Sequence, residues 1–101
     1  MSVPTDSIIE KDPSAIMFYE FNWTDWLGTA LISTSTFTVS NAPDAALTKD
    51  NPAIVSGSLR TRVRLLGGTV GKKYRLTNQI VTNESPAQTE EASVFIRIVD
   101  K

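Results

Sequence analysis

Hydrophobic and polar residues alternate along most of the chain, which is the pattern of β-strands that bury one face. The first such segment begins at residue 14, where Ala15, Met17, Tyr19, Phe21 and Trp23 share one parity. Side chains two residues apart in a strand point to the same side, so this row predicts a core-facing strand. Burying its aromatic side chains is worth on the order of 2–3 kcal/mol each.

The opposite parity of this strand carries two large apolar residues, Ile16 and Phe18. A large apolar pair on the outward face of a strand is unusual for an isolated monomer. We therefore expect Ile16 and Phe18 to be covered by another chain or by the N-terminal segment of the protein.

Residues 29–40 are rich in β-branched side chains and predict a second strand. Leu31, Phe37 and Val39 share one parity of this strand, with the small polar Ser33 and Ser35 between them. The following segment, 41–52, contains two prolines and predicts a loop, in which the Ala-Ala-Leu stretch could form a short helical turn or a short strand.

Later segments repeat the alternation, and no helical period is sustained anywhere in the chain. Strands are predicted at 53–55, 59–65, 74–81 and 94–99. Six or seven short strands separated by loops predict an all-β fold, an immunoglobulin-like antiparallel β-sandwich of about seven strands with an extended N-terminal arm.

The arm is predicted for residues 1–13, and the sandwich domain for residues 14–101. The first thirteen residues are polar and contain Pro4 and Pro13, and their apolar island is Ile8 and Ile9. Such a segment is either a disordered tail or an arm that docks on a neighbouring chain.

The stretch "GGTVGKKYRLTN" places a glycine-rich loop before Tyr74. It looks like the corner between late strands of immunoglobulin-like domains, where a tyrosine hydroxyl bonds to the backbone of the preceding loop. Tyr74 is the candidate for that role, and an ordinary core tyrosine is the alternative.

Composition narrows the function classes. The chain has 101 residues, no cysteine, no histidine and a formal net charge of −1. This balance argues against nucleic acid or an anionic membrane as the partner, and there is no apolar run of roughly 20 residues. The N-terminus also lacks the regions of a secretory signal.

Without histidine or cysteine, the usual nucleophile arrangements and zinc sites cannot form. The "GGTVGKK" loop does not have the spacing of a phosphate-binding loop. We therefore expect no enzyme activity, no cofactor, no metal and no small-molecule substrate.

Two groups of side chains are candidates for binding. Arg60, Arg62 and Arg64 form a stripe on one strand face, which is either simply solvated or a contact for a partner. Arg75 and Arg97 would extend this stripe if their strands lie beside it. The Trp23 and Trp26 pair suggests, as an alternative, a carbohydrate-binding module, although Trp23 continues the buried parity and Trp26 could close the core.

Two motifs of the chain resemble a family of small tailed-phage virion proteins. One is "KDPSAIMFYEFNWTDWLG", and the other is "RTRVRLLGGTVGKKYRLTNQIVTNESPAQTEEASVFIRIVDK". Together they span residues 11–101, with the middle loop unmatched. The family is that of phage fibre–tail adaptor proteins, and the resemblance implies an immunoglobulin-like sandwich present in many copies in the virion.

The resemblance implies a non-enzymatic virion protein that joins tail or baseplate to tail fibre. Its expected partners are a tail or baseplate protein, a tail-fibre protein and copies of itself, and it would be made in the host cytoplasm. The residues predicted to contact partners are Ile8, Ile9, Ile16, Phe18, Trp26, Arg60, Arg62 and Arg64.

Overall fold

A computed structural model describes residues 7–40, 44–55 and 57–100 and folds them into two facing β-sheets. The elements, in chain order, are β1 (Ser7–Lys11), β2 (Ile16–Asn22), α1 (Thr24–Leu27), β3 (Ile32–Ser40), β4 (Leu47–Val55), β5 (Arg60–Gly67), β6 (Lys73–Thr82) and β7 (Thr89–Ile98). The predicted all-β sandwich is confirmed, whereas its immunoglobulin-like character stays a prediction.

One sheet has four strands in the order β1-β7-β6-β3, and the other has three strands in the order β2-β5-β4. Neighbouring strands are antiparallel except β1, which runs parallel to β7. All strand pairs within residues 14–101 are antiparallel, as predicted, and the N-terminal segment adds one parallel strand beside the last strand.

The core lies between the two sheets and is built from the inward parity of each strand. In β2, Phe21 is fully buried, and Met17 and Tyr19 are half-buried against the core, as the alternation predicted. The fully buried core residues include Phe21, Trp23, Leu65, Tyr74, Leu76, Ile80, Val94 and Ile96.

A buried polar network ties the two sheets together. Asn78, on β6, is completely buried and accepts hydrogen bonds from Trp23 Nε1 at 2.9 Å and from the Thr61 hydroxyl at 2.6 Å. Its amide nitrogen donates to the Ser35 hydroxyl at 2.8 Å and to the Thr36 carbonyl at 3.2 Å. Because its partners come from both sheets, Asn78 fixes the position of one sheet relative to the other.

Leu31 does not lie on the same side of the sheet as Phe37, although the two residues share a parity in the sequence. Leu31 is 40% exposed, and Ile32 is buried instead. The pairing of β3 with β6 has an irregularity between Ile32 and Thr34. A bulge of this kind moves the side chains that precede it to the opposite face, so the parity that includes Phe37 does not extend back to Leu31.

Strand β4 takes up the second half of the predicted loop at 41–52. Residues 41–43 lie outside the described residues, and the strand begins at Leu47. Its register against β5 shifts between Asp50 and Ala53, where Asn51 has φ of 48° and Pro52 follows. Proline is tolerated here because β4 is at the edge of its sheet.

The segment predicted as an arm contains strand β1. Residues 1–6 lie outside the described residues, but Ser7–Lys11 pairs with β7 of the same chain. Lys11 is buried, and its ammonium group donates to the carbonyls of Gly67 at 2.7 Å and Asp12 at 3.0 Å. Burial lowers the pKa of Lys11. The division of the chain at residue 14 stays a prediction.

The glycine-rich loop packs tightly against the rest of the domain. Gly68 has φ of 107°, and a Cβ at this position would lie 2.5 Å from Cδ1 of Ile98. The loop is held by Tyr74, whose hydroxyl accepts from the amide of Thr69 at 3.0 Å and donates to Asp44 at 2.6 Å. The predicted bond between Tyr74 and the loop backbone is therefore confirmed.

The break predicted after Trp23 is the four-residue helix α1, which buries Leu27 and ends at Gly28 with φ of 63°. No helix in the described part of the chain is long and apolar enough to cross a membrane.

Candidate functional site

Five of the predicted contact residues share the outer face of the three-stranded sheet. In the register of β2 against β5, Phe18 lies opposite Arg64 and Glu20 opposite Arg62, while β4 places Asp50 opposite Arg64 on the other side. Paired residues point to the same side of a sheet. We call this surface the arginine face, and its residues are Ile16, Phe18, Glu20, Asp50, Arg60, Arg62 and Arg64.

The apolar end of the arginine face is open to solvent. Ile16 is 61% exposed and Phe18 is 51% exposed. Strand β1 does not cover them, because it belongs to the other sheet. Cover by residues 7–11 is therefore absent, and cover by another chain stays a prediction.

Two of the three arginines are paired with carboxylates of the same face. Arg64 binds Asp50 through two hydrogen bonds, from Nε at 2.7 Å and from NH2 at 2.6 Å. This contact lowers the pKa of Asp50 and raises the pKa of Arg64. Arg60 approaches Glu20 at 3.6 Å, with both side chains exposed. Exposed pairs of this kind contribute little to stability.

Arg62 lies between these two pairs and makes a different contact. Its guanidinium lies over the ring of Phe18, 4.6 Å from the centroid, within the range of a cation–π interaction. Its Nε is buried and has no hydrogen-bond partner among the described residues. Of the three guanidinium groups on this face, that of Arg62 is the one that forms no ion pair with a carboxylate of the described residues.

The outer face of the four-stranded sheet offers a second surface. Ile8 is 55% exposed and lies opposite Phe95 in the register of β1 against β7. Lys73 lies over the Phe95 ring, 4.8 Å from the centroid, and Arg75 is the register partner of Phe95 on β6. We call Ile8, Lys73, Arg75, Phe95 and the neighbouring Arg97 the β7 face.

Arg75 and Arg97 do not extend the arginine stripe, because the condition for it, that their strands lie beside β5, is not met. The neighbours of β5 are β2 and β4, whereas Arg75 and Arg97 belong to strands β6 and β7 of the other sheet. Sequence alternation shows which side of its own strand a residue occupies, but not which strands are neighbours.

Ile9 and Trp26 are partly buried and pack against the core of the chain itself. Ile9 lies on the inward side of β1, opposite Ile96. Their contribution to partner binding stays a prediction, but neither offers the open apolar surface of Ile8, Ile16 or Phe18.

The two tryptophans do not form an exposed shelf. Trp23 is fully buried and donates to Asn78 inside the core. Trp26 meets it edge to face, with ring centroids 5.8 Å apart. Since a sugar needs an open aromatic surface on which to stack, the carbohydrate-binding alternative loses the feature that suggested it.

Sequence reasoning missed the acidic members of the arginine face. Glu20 shares the outward parity of Ile16 and Phe18, so the alternation of β2 contained that signal. Asp50 gave no such signal, because it lies beside the bulge of β4 in a stretch that looked like a loop. No group of three or more metal-binding side chains was found among the described residues.

The family model described as "Podophage GP4 fiber-tail adaptor protein gp77" matches residues 11–97. The chain belongs to this family. Its members are phage fibre–tail adaptor structural proteins, so the resemblance seen in the two sequence motifs is confirmed and the protein is associated with the virion. No curated protein matches the chain.

Proposed function

We propose that this protein joins the phage tail or baseplate to the tail fibre through protein–protein contacts and catalyses no reaction. Membership of the fibre–tail adaptor family supports this assignment. The observation that carries it furthest is the exposed pair Ile16 and Phe18 beside the arginines of β5. Exposed apolar side chains next to arginine are the composition of protein-binding surfaces.

The two outer surfaces suit a connector. The arginine face and the β7 face belong to different sheets of the sandwich and point in opposite directions. Each combines an exposed apolar side chain with a cation placed over an aromatic ring. Two partners bound to these faces would therefore not compete for the same surface.

Several copies of the chain would strengthen the attachment. A single contact made by a few side chains has a modest affinity, but several copies arranged around a tail would bind a multimeric fibre through avidity. Copies of this chain are accordingly among the proposed partners. Synthesis in the host cytoplasm before assembly belongs to the same proposal and agrees with a chain that contains no cysteine.

A bridging experiment tests the proposal. The tail or baseplate proteins of the same phage are immobilised, and retention of the purified fibre protein is measured with and without this chain. We expect retention only when the chain is present. The double variant Ile16→Ser/Phe18→Ser should reduce retention about tenfold or more.

The matched control is Val70→Ser, because Val70 is 50% exposed but lies outside both faces. It should leave retention unchanged. Fibre retained equally well without the chain would overturn the adaptor assignment.

A further inference from the structure

The charges of the arginine face do not balance. Three guanidinium groups lie on β5, and two carboxylates, from Glu20 and Asp50, lie beside them on β2 and β4. Asp50 is held by Arg64 through two hydrogen bonds, and Glu20 is nearest to Arg60. One positive charge is left over whichever arginine Glu20 approaches, on a chain whose net charge is −1.

The surplus charge resides on Arg62. Its register neighbours are Glu20 on β2, which approaches Arg60, and Ala53 on β4, which carries no charge. Its Nε is buried and lacks a hydrogen-bond partner among the described residues. The guanidinium lies 4.6 Å from the centroid of the Phe18 ring, and this contact restricts the side chain, so less side-chain entropy is lost when a ligand binds it.

We propose that Arg62 receives a carboxylate from a segment of another virion protein, and that an apolar side chain beside that carboxylate covers Ile16 and Phe18. The inference rests on the proposed adaptor function and names the chemistry of one partner. A guanidinium presents its donors in a planar fork that matches an Asp or Glu side chain. The exposed apolar pair next to it supplies the contact that excludes water.

The same face does not suit a polyanion. Glu20 lies opposite Arg62 on β2, Asp50 lies opposite Arg64 on β4, and both would repel the successive phosphates of a nucleic acid. A single carboxylate with apolar neighbours meets the positive charge without meeting these acids. The partner is therefore a protein segment.

The same face also does not suit a symmetric contact between two copies. In a two-fold interface the same surface patch lies on both subunits. Two arginine faces would then bring two surplus positive charges together, whereas a segment with a carboxylate neutralises one. A different protein fits the charge better than a second copy.

Site-specific photo-crosslinking in assembled virions tests the inference. A photoreactive phenylalanine analogue replaces Ile16 in one phage and Ile8 in another, because Ile8 is similarly exposed but lies on the β7 face. We expect the Ile16 probe to crosslink to a tail or fibre protein, at a peptide with Asp or Glu within about three residues of the crosslink.

Other outcomes overturn the inference in distinguishable ways. Crosslinks from Ile16 to a second copy of this chain, or to a peptide without a nearby acid, contradict the stated partner. If only the Ile8 probe reaches a tail or fibre protein, the inference fails while the adaptor function stands. If neither probe reaches one, both fail.

A second measurement isolates the role of the charge. Arg62→Met keeps an unbranched side chain over Phe18 but removes the guanidinium, and Lys72→Met removes one exposed positive charge from the loop before β6, outside both faces. We expect Arg62→Met to lower crosslinking from Ile16 about tenfold and Lys72→Met to leave it unchanged. Equal crosslinking by both variants, with melting temperatures equal to that of the unsubstituted protein, would refute a carboxylate contact at Arg62.

Discussion

At the scale of single residues, Asn78 is the side chain on which the two sheets converge. Replacing it by alanine leaves the indole N–H of Trp23 and the hydroxyl of Thr61 without their acceptor in a dry core. A buried donor without a partner costs about 1–3 kcal/mol. We expect Asn78→Ala to lower the free energy of unfolding by about 3 kcal/mol, measured by urea denaturation.

Gln79 supplies the control for this prediction. It is the next residue of β6, but its side chain is exposed and bonds only to the exposed Glu91. Gln79→Ala should change the free energy of unfolding by no more than about 0.5 kcal/mol. If the two variants lowered the free energy of unfolding by similar amounts, the hydrogen bonds of Asn78 would not stabilise the fold more than those of an exposed side chain.

Asp44 links the glycine-rich loop to Tyr74, and this link depends on pH. Hydrogen bonds from the Tyr74 hydroxyl, the Ala46 amide and the Thr69 hydroxyl hold the pKa of Asp44 below its usual value. A carboxyl whose pKa is lowered by folding stabilises the protein above its unfolded pKa, about 3.9. That contribution is lost as the pH falls through the lower folded value.

We therefore expect Asp44→Asn to melt at a lower temperature than the unsubstituted protein at pH 7. The difference should shrink as the pH falls below about 4, because Asp44 then becomes neutral in both states. Tyr74→Phe removes the strongest of the three donors and should weaken this pH dependence. The melting temperatures of Asp44→Asn and of the unsubstituted protein are measured at pH 7 and below pH 4. A difference between the two proteins that is the same at both pH values would contradict the role assigned to Asp44.

At the scale of elements, strand β1 shows a firm attachment that the sequence did not predict. Ile9 packs against the core, and Ile8, one residue away, points to solvent. If β1 is paired with β7 in solution, Ile9→Ala should lower the free energy of unfolding by about 1–2 kcal/mol. Ile8→Ala should cost no more than about 0.5 kcal/mol. Urea denaturation measures both.

The same pair of variants separates two origins of β1. If the strand comes from the same chain, unfolding of the protein should not depend on its concentration. If β1 comes from a second copy, the Ile9→Ala variant should dissociate as it unfolds. The urea concentration at its unfolding midpoint should then rise with the protein concentration. Equal stability of the two variants would instead mean that β1 is not docked.

The elements that alternation predicted are those with regular pairing. The β2–β5 and β6–β7 pairs keep one register along their length, so the period of two in these sequences becomes one buried face. Bulges interrupt this alternation. The irregularity at Ile32–Thr34 places Leu31 on the opposite side of the sheet from Phe37, and the one at Asp50–Ala53 made the sequence of β4 look like a loop. Strand β1 has too short an apolar pattern to distinguish it from a tail.

The candidate site could be predicted only in part for a related reason. The outward parity of Ile16, Phe18 and the arginines of β5 was visible in the sequence. That β2 and β5 are neighbours, and that Asp50 meets Arg64 across β4, depends on pairing between segments that are distant in the chain. The surplus charge on Arg62 therefore emerged only from the fold.

At the scale of the whole molecule, the sandwich is an elongated body of 44 × 22 × 20 Å, and the two proposed contact surfaces lie on its two outer sides. Phe18 belongs to the arginine face, and Ile8 belongs to the β7 face. Because the two faces are on different sheets, a substitution on one should leave the other intact. We expect Phe18→Ser and Ile8→Ser to weaken binding to two different virion proteins, measured with each purified partner by isothermal titration calorimetry.

Each of these two variants is the control for the other. Both side chains are about half exposed, so neither substitution should unfold the domain, and melting temperatures would verify this. A loss of about tenfold in affinity for one partner per variant would establish two separate contacts. If Phe18→Ser alone weakened both partners, they would share the arginine face, and a two-sided bridge would be the wrong geometry for this adaptor.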